Sequence, residues 1–187
     1  VLVASSPGNY YACTKDIGVT YSALWTKTAF NYSGVMTCIP GDSNIYHGDG
    51  SGYYRKASAS TGVDILLSPA GWGTGASPRI SPNGLFGVGL FGVSPYSLGK
   101  ITLSGMTNTT IANPFASSVM LAPIISPDST LIIATCSNLS GTNRGQIKAF
   151  NASDLSLAWT RNYFETISGI SFLADSTLVV TGPSGTQ

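Results

Sequence analysis

The residues with the greatest catalytic potential in this chain of 187 residues surround its one histidine, in the phrase Tyr46-His47-Gly48-Asp49-Gly50. An imidazole beside a carboxylate can share a proton or bind a metal ion. A Ser-His-Asp relay would have to use His47, and no Gly-x-Ser-x-Gly motif accompanies it. The surrounding glycines are instead typical of an exposed loop. We therefore predict no catalytic residue and no metal site here.

The other residues that could do chemistry are scattered along the chain. Most carboxylates fall at predicted turns, where an aspartate accepts hydrogen bonds from its own backbone. The three cysteines lack zinc-type spacing, and no helix follows the glycine-rich segments 49–52 and 71–75 to hold a phosphate. We expect no cofactor. Trp72, among glycines, is a candidate exposed aromatic contact for a sugar or a partner protein.

The composition is that of an all-β chain. Only 9% of the residues are charged, against about 25% in an ordinary soluble domain. One glutamate and few lysines or glutamines predict almost no helix. The net charge of +1, without a cationic stripe, argues against nucleic acid as a partner. The apolar stretches 84–93 and 119–125 are too short and too often broken by Gly or Pro to span a bilayer.

Four glycines at even intervals indicate a repeat. Gly8, Gly52, Gly99 and Gly145 are 44, 47 and 46 residues apart, and each opens a strand-turn-strand phrase. A period of about 40 to 50 residues built from short strands is typical of a β-propeller blade. We predict a β-propeller of four-stranded antiparallel blades with about four repeats. Their limits are near 1–34, 35–76, 77–117 and 118–163, with a partial blade at 164–187.

A second landmark recurs with the same period. Apolar strands are broken by small polar residues, three times after a proline, and each break predicts a tight hairpin turn because proline fixes φ. The four turns are Cys38-Ile-Pro-Gly-Asp-Ser, Ile80-Ser-Pro-Asn-Gly, Ile125-Ser-Pro-Asp-Ser and Phe172-Leu-Ala-Asp-Ser.

The phase of the two ends leaves three arrangements open. Residues 1–5 read as the second strand of a blade, and the sequence stops at the same point of the cycle after 178–187. The chain is a segment of a longer propeller, a four-bladed ring closed by its own first residues, or an oligomer whose neighbours donate strands.

Sequons and cysteines bear on the compartment. Asn31, Asn108, Asn138 and Asn151 each begin an N-glycosylation sequon, and all four are predicted to lie in turns. They favour a secreted chain carrying N-linked glycans, although asparagine and serine are also ordinary turn residues. Adjacent blades can bring the cysteines at 13 and 38 together, so Cys13 and Cys38 are a disulfide candidate, whereas Cys136 fits a buried thiol.

The segment from Ala149 to Trp159 resembles the repeat of quinoprotein-type propellers. In that eleven-residue phrase an Ala, an Asp or Asn two positions on, a Thr-Gly turn and a Trp follow one another. Ala149, Asn151 and Trp159 match, with Ser153-Asp-Leu in place of the Thr-Gly turn. The resemblance implies that Trp159 docks one blade against the next.

Two other segments keep parts of the same phrase. Residues 56–66 contain Thr61-Gly62 without the tryptophan, and the first unit contains Ala12 and Trp25 with a longer turn between them. The resemblance assigns Trp25 the same docking role. Enzymes of this type bind pyrroloquinoline quinone and calcium in the central channel, and none of that site is visible in this sequence.

Three functions compete at this point. The first is a non-catalytic extracellular scaffold that binds other proteins or copies of itself through strand completion. The alternative is a quinoprotein-like oxidoreductase with its cofactor in the propeller channel. A third reading is a lectin that uses Trp72 and the Tyr53-Tyr54 pair.

Overall fold

The computed structural model describes residues 2–6, 8–13, 23–30, 37–39, 41–48, 52–71, 79–91, 96–112, 114–115, 119–137 and 144–182. These residues form antiparallel strands and turns, and no helix occurs among them. The prediction of an all-β chain is confirmed. Within this described part, no helix has the length and apolar character needed to cross a bilayer.

The first two sheets follow one another along the chain. The first has three strands in the order β1-β2-β3 and the second has four in the order β4-β5-β6-β7. Their bounds are β1 (Leu2–Ser6), β2 (Gly8–Cys13), β3 (Ala23–Phe30), β4 (Thr37–Cys38), β5 (Asn44–Gly48), β6 (Tyr54–Ser58) and β7 (Asp64–Leu67).

Three further sheets complete the described structure. The third has the order β11-β10-β9-β8, the fourth β12-β14-β15-β16 with β13 also paired to β14, and the fifth β17-β18. Their bounds are β8 (Arg79–Ile80), β9 (Phe86–Phe91), β10 (Ser97–Thr102), β11 (Thr107–Ile111), β12 (Val119–Met120), β13 (Ile124–Ile125), β14 (Leu131–Ser137), β15 (Gly145–Asn151), β16 (Leu157–Tyr163), β17 (Gly169–Phe172) and β18 (Leu178–Thr181).

The chain divides into two compact units. One comprises Val1–Pro78 with Ile101–Asn108, and the other Arg79–Lys100 with Thr109–Gln187. In the first unit the buried side chains come mainly from β5, β6 and the segment from Ile101 to Met106.

The second unit has a core on each face of β14. Ile132, Ala134 and Cys136 belong to a cluster with β9 and β10, whereas Ile133 belongs to a cluster with Ile167. Successive side chains of a strand point to opposite faces, so a largely apolar strand such as Leu131–Ser137 can fill both cores. Burial of each such aliphatic side chain stabilises the fold by about 1.5–3 kcal/mol.

The four predicted hairpin turns are confirmed. Each links two consecutive strands of its sheet, and each has an Asp or Asn whose side-chain oxygen accepts the backbone N–H two residues on. The pairs are Asp42 with Asn44, Asn83 with Leu85, Asp128 with Thr130 and Asp175 with Thr177, at 3.0–3.1 Å. These local bonds explain why short polar residues recur there.

The glycine repeat is less regular than its spacing indicates. Gly52 and Gly145 hold equivalent places, since each lies six residues before the end of the third strand of its sheet, at Ser58 and Asn151. Gly99 instead lies within β10, three residues after the equivalent position, Tyr96. The prediction that Gly99 opens its strand is therefore wrong. The left-handed turns that follow the third strands set the true phase.

Candidate interaction site

The turns between the third and fourth strands share one backbone conformation. In the second sheet the N–H of Gly62 donates to Ser58 O, and in the fourth the N–H of Leu155 donates to Asn151 O, both at 2.8 Å. Gly62 and Leu155 have φ of 70° and 63°, and Met106 at the same place in the third sheet has 52°. The segment Ser153-Asp-Leu therefore replaces Thr-Gly in sequence without changing the turn.

Trp25 of the first sheet packs on the turn of the second. Its indole N–H donates to Ala59 O at 3.0 Å, and a Cβ on Gly62 would lie 2.4 Å from the indole ring. Within its own sheet Trp25 lies opposite Ala12. Gly62 is thus needed twice, for its left-handed φ and for the space that the indole occupies.

Met106 and Leu155 adopt the same left-handed conformation as Gly62 but carry large side chains. Their side chains are 1% and 7% exposed, so each residue fills the space beside its own turn. A left-handed conformation costs a non-glycine residue about 1–2 kcal/mol. Burial of the side chain offsets that cost.

Lys100 of the third sheet contacts the turn of the fourth. Its ammonium donates to Ala152 O and lies 3.4 Å from Ser153 O and 5.2 Å from the centroid of the Phe86 ring. Ala152 and Ala59 hold the same place in their turns, because each donates its N–H to a carbonyl of the preceding hairpin at 2.8 Å. The carbonyl at this position of the turn therefore accepts an indole N–H in the second sheet and an ammonium N–H in the fourth.

Trp159 has the register of Trp25 but a different environment. It lies opposite Ala149, as Trp25 lies opposite Ala12. It lines an open groove of about 510 Å³ between β16 and β18, together with Arg161, Tyr163, Leu178 and Val180. Among the described residues its indole N–H has no acceptor, and the Arg161 guanidinium lies 6.0 Å from its ring.

His47 is not in an exposed loop. It lies in β5, 2% exposed, with Nδ1 3.3 Å from Gly48 O. The glycines that follow it suggested a loop, but Tyr46 and His47 are part of the buried strand. Tyr46 donates to Asp42 at 2.8 Å, and burial together with this carboxylate raises the pKa of its hydroxyl. Within the described ranges no three His, Cys, Asp or Glu side chains are grouped as metal ligands.

The sequons are distributed differently from the prediction. Asn31 and Asn138 lie outside the described residues. Asn108 lies in strand β11 and Asn151 is the last residue of β15, with its amide nitrogen 2.9 Å from Ser156 Oγ. The prediction that all four lie in turns is therefore wrong, because the strands extend further than the polar composition indicates.

The remaining candidate residues divide into buried and undescribed ones. Tyr54 is 1% exposed and part of the core of the first unit, so it cannot form an exposed sugar platform with Tyr53. Trp72 lies outside the described residues, as do the side chains of Cys13 and Cys38. Cys136 is buried, as its strand predicts.

Sequence reasoning missed the contacts of Lys100 and the left-handed turns at Met106 and Leu155. A leucine or methionine carries no signal for positive φ, because glycine is the usual residue there.

The four-stranded sheets, their hairpins and the tryptophan contact define a protein of the β-propeller type. The chain is similar to BamB from Moraxella catarrhalis, with a TM-score of 0.66 and 17% identity over 98% of this chain and 52% of that one. It is also similar to hydrazine synthase from Kuenenia stuttgartiensis, with a TM-score of 0.57 and 14% identity over 88% of this chain and 48% of that one. The chain thus spans about half the length of these two structures.

No family model and no curated protein matches the sequence. At these identities the structural likeness shows the fold alone. The similarity and the sheet topology together confirm the predicted propeller fold.

Proposed function

We propose that this chain is a non-catalytic, secreted and glycosylated β-propeller scaffold that binds other proteins, including copies of itself. One observation carries the proposal. In the edge strand β7 of the second sheet and directly before it, alternate apolar side chains face solvent. Val63 is 64% exposed, Ile65 50% and Leu67 48%. We call these three residues the β7 row.

The β7 row lacks the usual protection of a sheet edge. Natural edge strands carry lysine or proline to prevent pairing with another chain. Residues 63–67 contain neither, and the one charge, Asp64, is paired with Arg55 at 2.7 Å. An apolar edge whose one carboxylate is paired in this way suits a partner that adds a strand.

Strand completion at β18 supports self-association. Among the described residues β18 pairs with β17 on one side, so its other edge is available to a strand from a neighbouring chain. Repetition of that contact from chain to chain would build an open assembly.

Secretion and glycosylation rest on the sequons. Asn151 is partly exposed and its Nδ2 lies at the surface beside Ser156 Oγ, whereas the Nδ2 of Asn108, to which a glycan would be attached, is buried, so Asn151 is the described sequon that best supports glycosylation. We extend the proposal to Asn31 and Asn138, and to a disulfide between Cys13 and Cys38. Intact mass of secreted protein before and after removal of N-glycans tests this part. Equal masses would exclude it.

We also infer that the repeats are of the quinoprotein type. The contact of Trp25 with the Thr61-Gly62 turn and the equivalent register of Trp159 support this assignment. The assignment concerns the repeat and implies no quinone chemistry.

Sedimentation velocity over a wide concentration range tests the scaffold. Ile65→Lys and Thr181→Lys place a cation on β7 and on β18, and each should lower the association constant about tenfold or more. Leu85→Lys, at a side chain that is 64% exposed outside the β7 row, is the matched control and should leave association unchanged. A wild-type chain that stays monomeric at every concentration would refute self-association.

A further inference from the structure

The hairpin of the third sheet contains the one Asn-Gly dipeptide of the chain, Asn83-Gly84. The side-chain amide of an asparagine is thermolabile, since the backbone nitrogen of the next residue can attack it. Glycine hinders this attack least, because it has no side chain. Asn83 is also exposed, so water reaches the amide. Of all the asparagines in the sequence, Asn83 is therefore the one best suited to this reaction.

The turn at Asn83 has the same backbone as two turns that carry an aspartate in its place, Asp128 and Asp175. In all three turns the next residue is left-handed and donates its N–H to the carbonyl three residues earlier, at 2.8–3.0 Å. These left-handed residues are Gly84, Ser129 and Ser176, with φ of 71°, 63° and 67°. The chain itself thus shows that this turn accepts an aspartate at the position of Asn83.

The hydrogen-bond donors for a carboxylate are already in place around Asn83. Its Oδ1 accepts the backbone N–H of Leu85 at 3.1 Å and lies 2.7 Å from Ser81 Oγ. Asp128 Oδ1 has the equivalent hydroxyl and backbone donors, at 2.5 and 3.1 Å. Hydrogen bonds to an ionised acceptor are stronger than neutral ones. The donors should therefore hold an aspartate at position 83 at least as well as they hold the asparagine.

We propose that Asn83 is a site of spontaneous deamidation, through which the hairpin of the third sheet acquires the aspartate found in the hairpins of the fourth and fifth sheets. The site is independent of the scaffold function proposed above.

The reaction needs only water and hydroxide besides the chain. The backbone nitrogen of Gly84 loses its proton to hydroxide and bonds to Asn83 Cγ, and the side-chain nitrogen takes up a proton and leaves as ammonia. Water then opens the cyclic imide at Cγ to give aspartate, or at the backbone carbonyl of residue 83 to give isoaspartate. The amide becomes a carboxylate, so the formal net charge of +1 falls by one, to 0.

The folded turn restrains the attack. The nitrogen that must react, that of Gly84, donates its proton to Ser81 O at 2.8 Å, and this bond has to open first. Hydrogen-bonded segments open locally at a lower free-energy cost than global unfolding. Deamidation should therefore occur in the native chain, but more slowly than in the unfolded chain.

The two products should affect the hairpin differently. Aspartate leaves the main chain unchanged and keeps both donors to the side chain. Isoaspartate adds a methylene group to the main chain, which shifts the Gly84 N–H away from Ser81 O and removes the acceptor of the Leu85 N–H. Only the aspartate product should therefore preserve the turn.

Incubation of the native chain at mildly alkaline pH, followed by peptide mapping with mass spectrometry, tests the proposal. The peptide that contains Asn83 should gain one mass unit, and labelling by isoaspartyl methyltransferase measures the isoaspartate share. The same incubation in urea above the unfolding midpoint should be about tenfold or more faster, because the turn is then open.

Gly84→Ser is the matched variant, because serine holds the left-handed conformation at the equivalent positions Ser129 and Ser176. The added side chain hinders the attack and should slow deamidation about tenfold, both in the native chain and in urea, where folding has no influence. Asn83→Asp represents the product and should be at least as stable to urea as the wild type at neutral pH.

Three results would overturn the proposal. An Asn83 peptide that keeps its mass in the native chain while it deamidates in urea would exclude the modification of the folded protein. Equal rates for Gly84→Ser and the wild type in urea would show that Gly84 does not set the reactivity. A lower urea midpoint for Asn83→Asp than for the wild type would show that the hairpin does not accommodate the product.

Discussion

The turns at 58–63 and 151–156 have the same backbone and are stabilised in opposite ways. In the first, Gly62 leaves a space that Trp25 of the preceding sheet fills. In the second, Leu155 fills its own space, and Lys100 of the preceding sheet takes the carbonyl that an indole takes in the first. The backbone of the turn is thus constant, while the side chain that packs on it comes from either partner.

This difference explains how a repeat loses its sequence signature while it keeps its structure. A turn with glycine requires a large side chain from its neighbour. A turn with leucine or methionine requires a neighbour that leaves room. Each junction therefore depends on a pair of residues far apart in sequence. Neither residue of the pair predicts the contact by itself.

Gly62→Ala should be the most damaging change. It forces a left-handed alanine and pushes the Trp25 ring off the turn, with loss of the indole hydrogen bond, for a total of about 3 kcal/mol of unfolding free energy. Urea denaturation measures the loss. Gly41→Ala is the control, since Gly41 also has positive φ but a Cβ there would meet nothing within 4 Å, and it should cost about 1 kcal/mol. Equal losses for the two variants would contradict the docking role of Trp25.

Leu155→Gly should have a smaller cost of the same sign. Removal of the buried side chain leaves a cavity worth about 2–5 kcal/mol, and relief of the left-handed strain returns about 1 kcal/mol. The net loss of about 2 kcal/mol is measured by the same denaturation experiment. A stabilised Leu155→Gly variant would show that the leucine does not offset the strain.

Lys100→Met tests the junction between the third and fourth sheets. The variant keeps an apolar stem over Phe86 but loses the bond to Ala152 O, which should lower stability by about 1 kcal/mol. Lys56→Met is the matched control, because the Lys56 ammonium lies 5.8 Å from the Tyr46 ring centroid and contacts no turn carbonyl in the part of the chain that the structure describes. Losses of equal size would mean that the carbonyl contact adds nothing.

The hairpin turns predict a weak pH dependence. The hydroxyl of Ser126, then the backbone N–H and hydroxyl of Thr130, hold the pKa of Asp128 below its usual value. The stabilising effect is therefore present above the unfolded-state pKa, about 3.9, and is lost as pH falls through the lower folded-state pKa. Asn83 occupies the same place in another hairpin without a charge.

Stability measured between pH 2 and pH 6 tests this effect. Asp128→Asn should flatten the acid limb of the stability profile, whereas Asn83→Asp should steepen it. A steepening by Asp128→Asn would reverse the assignment.

The hairpins were predictable from sequence because their cause is local. Asp42, Asn83, Asp128 and Asp175 each bond within two residues, so the chemistry lies within the motif itself. The buried strand β14 was predictable for a similar reason, since its apolar run from Leu131 to Ala134 suits burial on both faces.

The docking contacts were only partly predictable. The tryptophans were visible as docking candidates, but the choice of Gly62 as the receiving residue depends on a partner 37 positions away. The contact of Lys100 could not be predicted from the sequence, because a lysine side chain is ordinarily solvated. The burial of His47 was missed because local glycines suggested a loop while tertiary packing covers the strand.

Two tryptophans of equal register differ in their hydrogen bonding, since Trp25 donates to a turn and Trp159 has no acceptor among the described residues. Hydrogen exchange of the indole N–H groups, followed by two-dimensional ¹H–¹⁵N NMR of the chain, measures this difference. We expect a slowly exchanging Trp25 signal, owing to its bond to Ala59 O, and a rapidly exchanging Trp159 signal. Equal protection of the two signals, or a slower exchange at Trp159, would contradict this assignment.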